Sequence, residues 1–564
     1  MNKRIIIFFL FLLYCNLRAG NPVSVPINDP VYLFLDRMES LGIIGNLLDG
    51  TKPLARAEIS QFLLTINEER NQLTRIDKQR LDNLLADYRF EIDWRNKYPQ
   101  ISGTRSWYTP ISSFNRIKKD FIRFFKQNHP EEENHLFLWE DSTNAFYLDF
   151  IMDYTYDHRS DSDKLSRSSN RQTYSIRGTI AENFGYALNV QLIAVRGDEG
   201  YKENHPILKD TWDQTSGGKI FFDRSGGELA YHKPYVDFRF AQQPINWGLG
   251  KSGLLILSDY PEQYPYFSIS KRWKWGRFTF LHGKLLEESA VDTIGGQAIY
   301  PDKWIAAHRF EFTPWNWMAF GLTETVIYGN RSADWAYFMP FNFYRASEHN
   351  LGDRDNVLMM LDFELRVSPG LKVYSTMLLD EFKQSKLFTN WYGNKFAYYV
   401  GGHWVDPAGI QNLAIRCEYG AIRPWVYTHK YNINRYINNS RSLGHWAGPN
   451  SQIIYAELEK DWHWRFVTGL SYCQLKHGEN YPNENIGGNI LLGHNVLLGD
   501  QQVPRETSKF LEGILLTENL WEFYAQYEMF NDMFLNLSIA RQQITQMDRT
   551  DNLTIFHLGF RLDY

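Results

Sequence analysis

The chain has 564 residues, 60 Lys and Arg against 65 Asp and Glu, a formal charge of −5 and a mean hydropathy of −0.44. That balance excludes a nucleic-acid binder with a basic face, and three Cys in such a length exclude a disulfide scaffold or a multi-Cys metal protein. Against this soluble-looking average stands an aromatic content of 16%.

Asn2-Lys3-Arg4 form a basic start, Ile5 to Cys15 an apolar run, and Ala19-Gly20 a small-residue end. This predicts a secretory signal peptide over residues 1–20, cut near Ala19 or Gly20. Loss of Lys3, Arg4 and Arg18 with it takes the charge to −8. The run is too short to cross a bilayer as a helix, and no later run reaches the ~18 apolar residues that crossing needs.

Residues 21–96 read as a helical region. Asp29-Pro30 starts a helix with Val31, Phe34, Leu35, Met38 and Leu41 on one face, and Gly42 ends it. Ile59, Phe62, Leu63 and Ile66 repeat the helical spacing, and Thr74 to Asp77 has the form of a capping box before Leu81, Leu84, Leu85 and Tyr88. Residues 97–145, with Arg116 to Lys119 basic and Glu131 to Glu133 acidic, read as a connector.

From Phe146 the period becomes two. Phe146, Leu148, Phe150, Met152, Tyr154 and Tyr156 share one face, with Asp149, Asp153 and Asp157 on the other. The pattern recurs to the C-terminus and predicts about 18 strands over 146–564. Short turns are expected at Glu182 to Phe184, Asp223 to Gly227, Ser368 to Gly370 and Glu518 to Leu520, alternating with long connections such as 197–217, 241–264, 329–355, 423–451 and 475–508. Short turns on one side and long loops on the other predict an antiparallel transmembrane β-barrel in the outer membrane of a Gram-negative-type bacterium, its wall in contact with outer-membrane lipid. The last strand, ending on Tyr564, resembles the terminal-aromatic signal of outer-membrane proteins, which implies the barrel-assembly machinery as a partner. Cys417 and Cys473 fall on opposite faces, so no disulfide is expected.

No catalytic residues, metal or cofactor are predicted. Gly250-Lys251-Ser252 lacks the earlier glycine of a phosphate loop, since Ile245 stands there, and neither H-E-x-x-H nor G-x-S-x-G occurs. The loops at 241–267 and 423–452 instead combine Trp, Tyr, Asn, Lys and Arg, a mixture suited to the C–H faces and hydroxyls of sugars.

These segments carry a resemblance. Trp247 to Ser258 (W-G-x-G-x-S-G-x-L-x-L-S), the pair His308 to Pro314 and Gly321 to Glu324, Asp355-Asn356 with Leu379-Asp380-Glu381, and Leu443 to Asn450 are together similar to the Wzi capsule-assembly family. The resemblance implies an 18-stranded barrel with a periplasmic helical appendage, acting without catalysis as a surface lectin for capsular or other surface polysaccharide. On this reading Trp247, Lys251, Arg309, Glu324, Asp355, Asn356, Asp380, His445 and Asn450 are the candidate ligand-binding residues of mouth or lumen, hydrogen bonding and organising loops. A porin or solute channel is the alternative, in which Asp149, Asp153, Glu364, Arg366, Arg416, Glu418 and Arg561 line a wet lumen rather than brace a plugged one. An outer-membrane hydrolase is the third, and it requires a Ser or Asp within reach of a His.

Overall fold

The computed structural model describes residues 21–95 save 46, then 105–108, then 135–564 save 142, 161–163, 210–213, 234, 289, 291, 295–296 and 493–505. The expected signal peptide and the charged runs at 116–119 and 131–133 lie outside the described residues.

Among the described residues the wall is a closed barrel of eighteen antiparallel strands, running from Ala145–Ser160 to Arg549–Asp563. The last strand seals against the first through Leu558 opposite Tyr156 and Phe560 opposite Tyr154. Alternation sets what faces where. The predicted apolar face of the first strand points outward, with Tyr154 and Tyr156 exposed, while Asp153 and Asp157 turn inward to Arg171 and Arg167 at 2.9 and 2.7 Å. A bare outer face of this kind suits hydrocarbon, since each wall strand pairs with a neighbour on both sides around the closed ring.

Two predicted turns are absent. Residues 223–227 lie inside strand Lys219–Lys233, and residues 518–520 inside Ile514–Phe530. Gly226-Gly227 has turn composition, but a side chain on Gly227 would stand 2.4 Å from the Ala187 carbonyl oxygen. The glycine serves close strand approach instead. Asn519 sits mid-strand, accepting hydrogen bonds from Tyr472 Oη (2.9 Å) and Gln474 Nε2 (2.8 Å) of the neighbouring strand. The chain turns after Lys233 and after Phe530, so the strand total is unchanged. Two connections at the long-loop end, after Ser160 and after Gln546, are short. Cys417 pairs in register with Ala456 and Cys473 with Tyr455, which places the two thiols on opposite faces, and both are free.

The N-terminal helices are α1 (Val31–Ser40), α2 (Arg56–Glu68), α3 (Arg75–Asp87) and α4 (Arg89–Arg95). The predicted cap is present: Asp77 N donates to Thr74 Oγ1 at 3.1 Å. Leu35, Met38, Ile59, Leu63, Ile66 and Leu81 are fully buried in one small core. The charged faces are what seat the bundle at the short-turn end of the barrel. Arg37 bridges Asp77 of α3 and Asp406 of the wall (both 2.9 Å), Arg80 meets Asp461 (2.6 Å), and Glu58 meets Arg272 and Arg277. Asp36 faces Lys372 (2.5 Å), Arg416 (2.8 Å) and His403 (3.1 Å). Burial pushes the Asp36 carboxyl up, but these three neighbours more than offset it and hold it well below the usual carboxylate range.

Candidate functional site

Two long connections fold into the barrel and clasp each other. The connection 243–264 descends the lumen until Trp247 pairs in β-register with Thr51 and Asn246 with Lys52, just before α2. The connection 423–450 lies against it. Tyr427 Oη donates to Leu255 O (2.7 Å), Tyr436 Oη to Ile256 O (2.9 Å), Ser258 N to Leu443 O (2.8 Å) and Trp446 Nε1 to Ser252 O (2.6 Å). The Tyr427 and Tyr436 rings stack at 5.6 Å. These tyrosines, with Trp247, Leu255 and Leu443, belong to the main buried core of the molecule. The result is a packed lid rather than a set of free loops.

The predicted site residues are mostly inside this framework. Trp247 is buried in the lumen core. Arg309 is fully buried, with Nη1 donating to Asp362 (2.7 Å) and Thr323 (2.8 Å) and Nη2 facing Glu311 (3.3 Å). Asn356 Nδ2 donates to Asn434 O (2.9 Å), and Asp380 accepts from Tyr427 N (2.7 Å). Asn450 Nδ2 donates to Gly478 O and Glu512 O, while its Oδ1 accepts from Leu511 N (2.7 Å). His445 is buried, its Nδ1 accepting from Ala447 N (3.1 Å), and burial pushes its imidazole down to about 4, so it is neutral at physiological pH. A side chain on Gly253 would stand 2.1 Å from His445 Nε2, so only glycine allows the two connections this approach. Lys251 alone of the nine is exposed; its N–H donates to Glu418 (2.7 Å).

Glu324 and Asp355 are neither at the mouth nor in the lumen. Ala306, Val326, Tyr328 and Val357 form a cluster separate from the lumen core, which takes their strand neighbours Ala307, Ile327 and Leu358. Glu324 and Asp355 share the alternation of Val326 and Val357, and so belong to the outer face. There the connection 330–355 doubles back over the wall with a short helix α5 (Tyr344–Asn350). Glu324 accepts from Tyr344 N and Arg345 N (both 2.8 Å), and Asp355 accepts from Arg331 (2.9 and 2.7 Å) and Tyr337 Oη (2.7 Å).

Within α5, burial raises the Glu348 carboxyl to about 7, with Arg345 opposing and Asp353 and Asp355 reinforcing the shift. A carboxyl raised on folding binds more protons in the folded state, so stability falls as pH rises from its ordinary 4.5 through about 7. Hydrogen-exchange protection of 344–350, corrected for intrinsic rate, is therefore expected to decline across that window, and Glu348→Gln to abolish the decline. A flat wild-type profile would contradict the assignment.

The inward charges brace the interior. Arg366 Nη1 donates to Glu39 O and Ile44 O (both 2.9 Å), Arg416 reaches Asp36, and Glu418 accepts from Lys251 N, Ser252 N and Tyr374 Oη. Among the described residues two Ser–His pairs occur, and neither has the arrangement of a hydrolase. Ser451 Oγ, fully buried, lies 2.8 Å from His477 Nδ1 but donates to the Ala447 carbonyl at 2.8 Å, with the Pro449 carbonyl at 3.2 Å. Ser40 Oγ and Asp36 both approach the same nitrogen, Nδ1 of buried His403, whereas a triad needs opposite ring nitrogens.

A family model described as capsule assembly protein Wzi matches residues 166–554. The chain belongs to the Wzi family. The fold agrees with the solved structure of Wzi from Escherichia coli, an outer-membrane protein involved in group 1 capsule assembly and a carbohydrate-binding β-barrel. That structure is 14% identical, the match covers 96% of this chain and 99% of that one, and the TM-score is 0.56. OprD of Pseudomonas aeruginosa matches 74% of this chain and 95% of its own at 9% identity and a TM-score of 0.41. No curated protein matches by sequence. This Wzi-family barrel is an outer-membrane protein of the Gram-negative envelope. Sequence reasoning missed Asp36, Arg37 and Glu58, because charges on a helix flank read as solvated. Their position directly beside the apolar stripe of Leu35, Met38 and Ile59 was the available signal.

Proposed function

We propose that this protein binds capsular or other surface polysaccharide at its extracellular face and assists capsule assembly or attachment, without chemically converting the polymer. The observation that carries the reading is the clasped lid, whose aromatic and amide groups are held in one arrangement before any ligand arrives. Such preorganisation reduces the entropy lost on binding. Trp446, partly exposed above Ser252, exposed Lys251, and Tyr260 with the Arg441 guanidinium 5.0 Å over its ring offer flat faces beside cationic donors. Lys251 is assigned to ligand contact, and the other eight predicted residues to positioning the lid and wall. The outer wall is assigned to lipid and the terminal strand to the assembly machinery.

Deleting the gene is expected to lower surface-bound polysaccharide and raise the released fraction. Purified barrel is expected to retain isolated capsular polysaccharide, and the Lys251→Ala variant to retain less at unchanged thermal stability. Unaltered surface and released polysaccharide in the deletion strain would end this reading.

A further inference from the structure

We propose that the extracellular connection 330–355 is a lipid-inserted buttress, whose segment Trp335–Phe343 faces the acyl chains of the outer leaflet. The segment is built inside out relative to a soluble loop. Trp335 is 85% exposed, Met339 63%, Phe341 77% and Phe343 55%, while Glu324, Tyr337, Tyr344, Glu348 and Asp355 beneath them are buried. A contiguous exposed apolar patch of this kind marks a contact surface.

The place of the patch on the barrel identifies what it contacts. Phe341 stacks on Phe278 at 4.6 Å with 19° between the rings, and Phe338 on His282 at 4.0 Å, so the connection runs down the outer wall instead of standing above it. Phe278 is in register with Phe310, Phe310 with Leu322, Leu322 with Leu361 and Leu361 with Met377. The last three are exposed on the outer face, in the band that meets lipid. The buttress therefore continues the lipid-facing surface sideways, without a polar break.

Backbone outside a strand is tolerated in hydrocarbon only if its polar groups are satisfied internally. Here they are turned toward the wall. Glu324 accepts from the first N–H groups of α5, with His308 Nε2 3.2 Å from its carboxylate. Asp334 N donates to Tyr328 Oη, Asp334 Oδ1 accepts from Ala336 N, and Asn342 Nδ2 donates to Ala336 O and Ser347 Oγ. Asp355 neutralises Arg331. The polar end of the connection points the other way: Ser332, His349, Asn350 and Asp353 are exposed, and Lys430 Nζ of the neighbouring extracellular connection donates to Asp353 O (2.8 Å). One apolar end and one wet end describe an element seated across the interface of the leaflet. The buttress also shields Glu324 and His308, polar groups that a bare wall would present to lipid.

The test uses the full chain in phosphatidylcholine vesicles containing a phosphatidylcholine with a photoactivatable diazirine on its acyl chain. Adducts are mapped by mass spectrometry. Labelling is expected within 335–343 together with Leu322 and Met377, and not at Phe388 of the connection 382–394, which is 97% exposed. Labelling of Leu322 and Met377 without 335–343, or crosslinking of 335–343 to a second protein chain instead, would overturn the proposal. As a second measurement, a fluorophore on Phe341→Cys, in a Cys417→Ala/Cys473→Ser background, is expected to be quenched by doxyl-acyl lipid and spared by aqueous iodide. Quenching by iodide, as for Phe388→Cys, would overturn it equally.

Discussion

Replacing Arg309 with leucine is expected to cost the barrel about 3–5 kcal/mol of folding stability. The guanidinium is 1% exposed and meets Asp362 through two hydrogen bonds of 2.7 and 3.0 Å, Thr323 at 2.8 Å and Glu311 at 3.3 Å. Its removal leaves two carboxylates facing each other inside the barrel, with Glu311 held otherwise by Thr51 Oγ1 at 2.8 Å and by its proximity to Arg277. The penalty comes from the charge left behind more than from the bond lost, so Arg309→Leu/Asp362→Leu is expected to recover a large part of it. Urea unfolding of detergent-refolded protein measures both. A single variant as stable as the parent, or a double variant additive with its parts, would refute the argument. Gly50 adds a second handle at this point. A methyl group there would stand 2.3 Å from Arg309 Nη2, so Gly50→Ala is expected to push on the same ion pair from the bundle side.

The second large effect is expected at Asp36. This one carboxylate of α1 faces Lys372, Arg416 and His403 of three wall strands, and Asp36→Leu takes from buried Arg416 its carboxylate partner, while Lys372 keeps Glu39 (2.8 Å) and Glu364 (3.3 Å). Unpairing a buried charge is destabilising by about 3–5 kcal/mol, here directed at the seat of the helical bundle rather than at the wall hydrogen bonds. The expected outcome is a barrel that still migrates as folded, but whose residues 31–95 are cut by trypsin and which shows conducting steps in planar bilayers where the parent is silent. Intact bundle and silent bilayers in Asp36→Leu would show that the remaining latches at Asp406, Asp461 and Glu58 suffice.

Much of this architecture is legible in the chain, because alternation and helical spacing are local properties. Phe146 to Tyr156 declares a strand with one apolar face, and Leu35, Met38 and Leu81 declare helix faces, before any contact is known. Turns are less legible: Gly226-Gly227 and Glu518-Asn519 have turn composition, yet each is fixed in mid-strand by a partner far away in sequence, the Ala187 carbonyl and the side chains of Tyr472 and Gln474. The site is legible in kind and not in place. His445, Asn450 and Asp380 read as candidate ligand-binding residues of mouth or lumen, and nothing local reveals that their partners are backbone groups of the chain itself. Glu324 and Asp355 show the limit most plainly. Their strands and side-chain chemistry could be read, whereas the doubling back of 330–355 over the outer wall depends on Phe338 and Phe341 finding His282 and Phe278, tens of residues earlier.

The pairing of Thr51 with Trp247 has a mechanical consequence. It joins the lid to the helical bundle, because Gly248 N also donates to Gly50 O at 2.8 Å beside it. A pull on the outer face is then carried down the connection 243–264 into the bundle, and from there spread through Arg37, Arg80, Asp36 and Glu58 to strands around the barrel. Load enters along one tether and leaves through many anchors in parallel, so tension on a long polymer outside the cell would be borne by the wall in shear instead of by one loop peeling away.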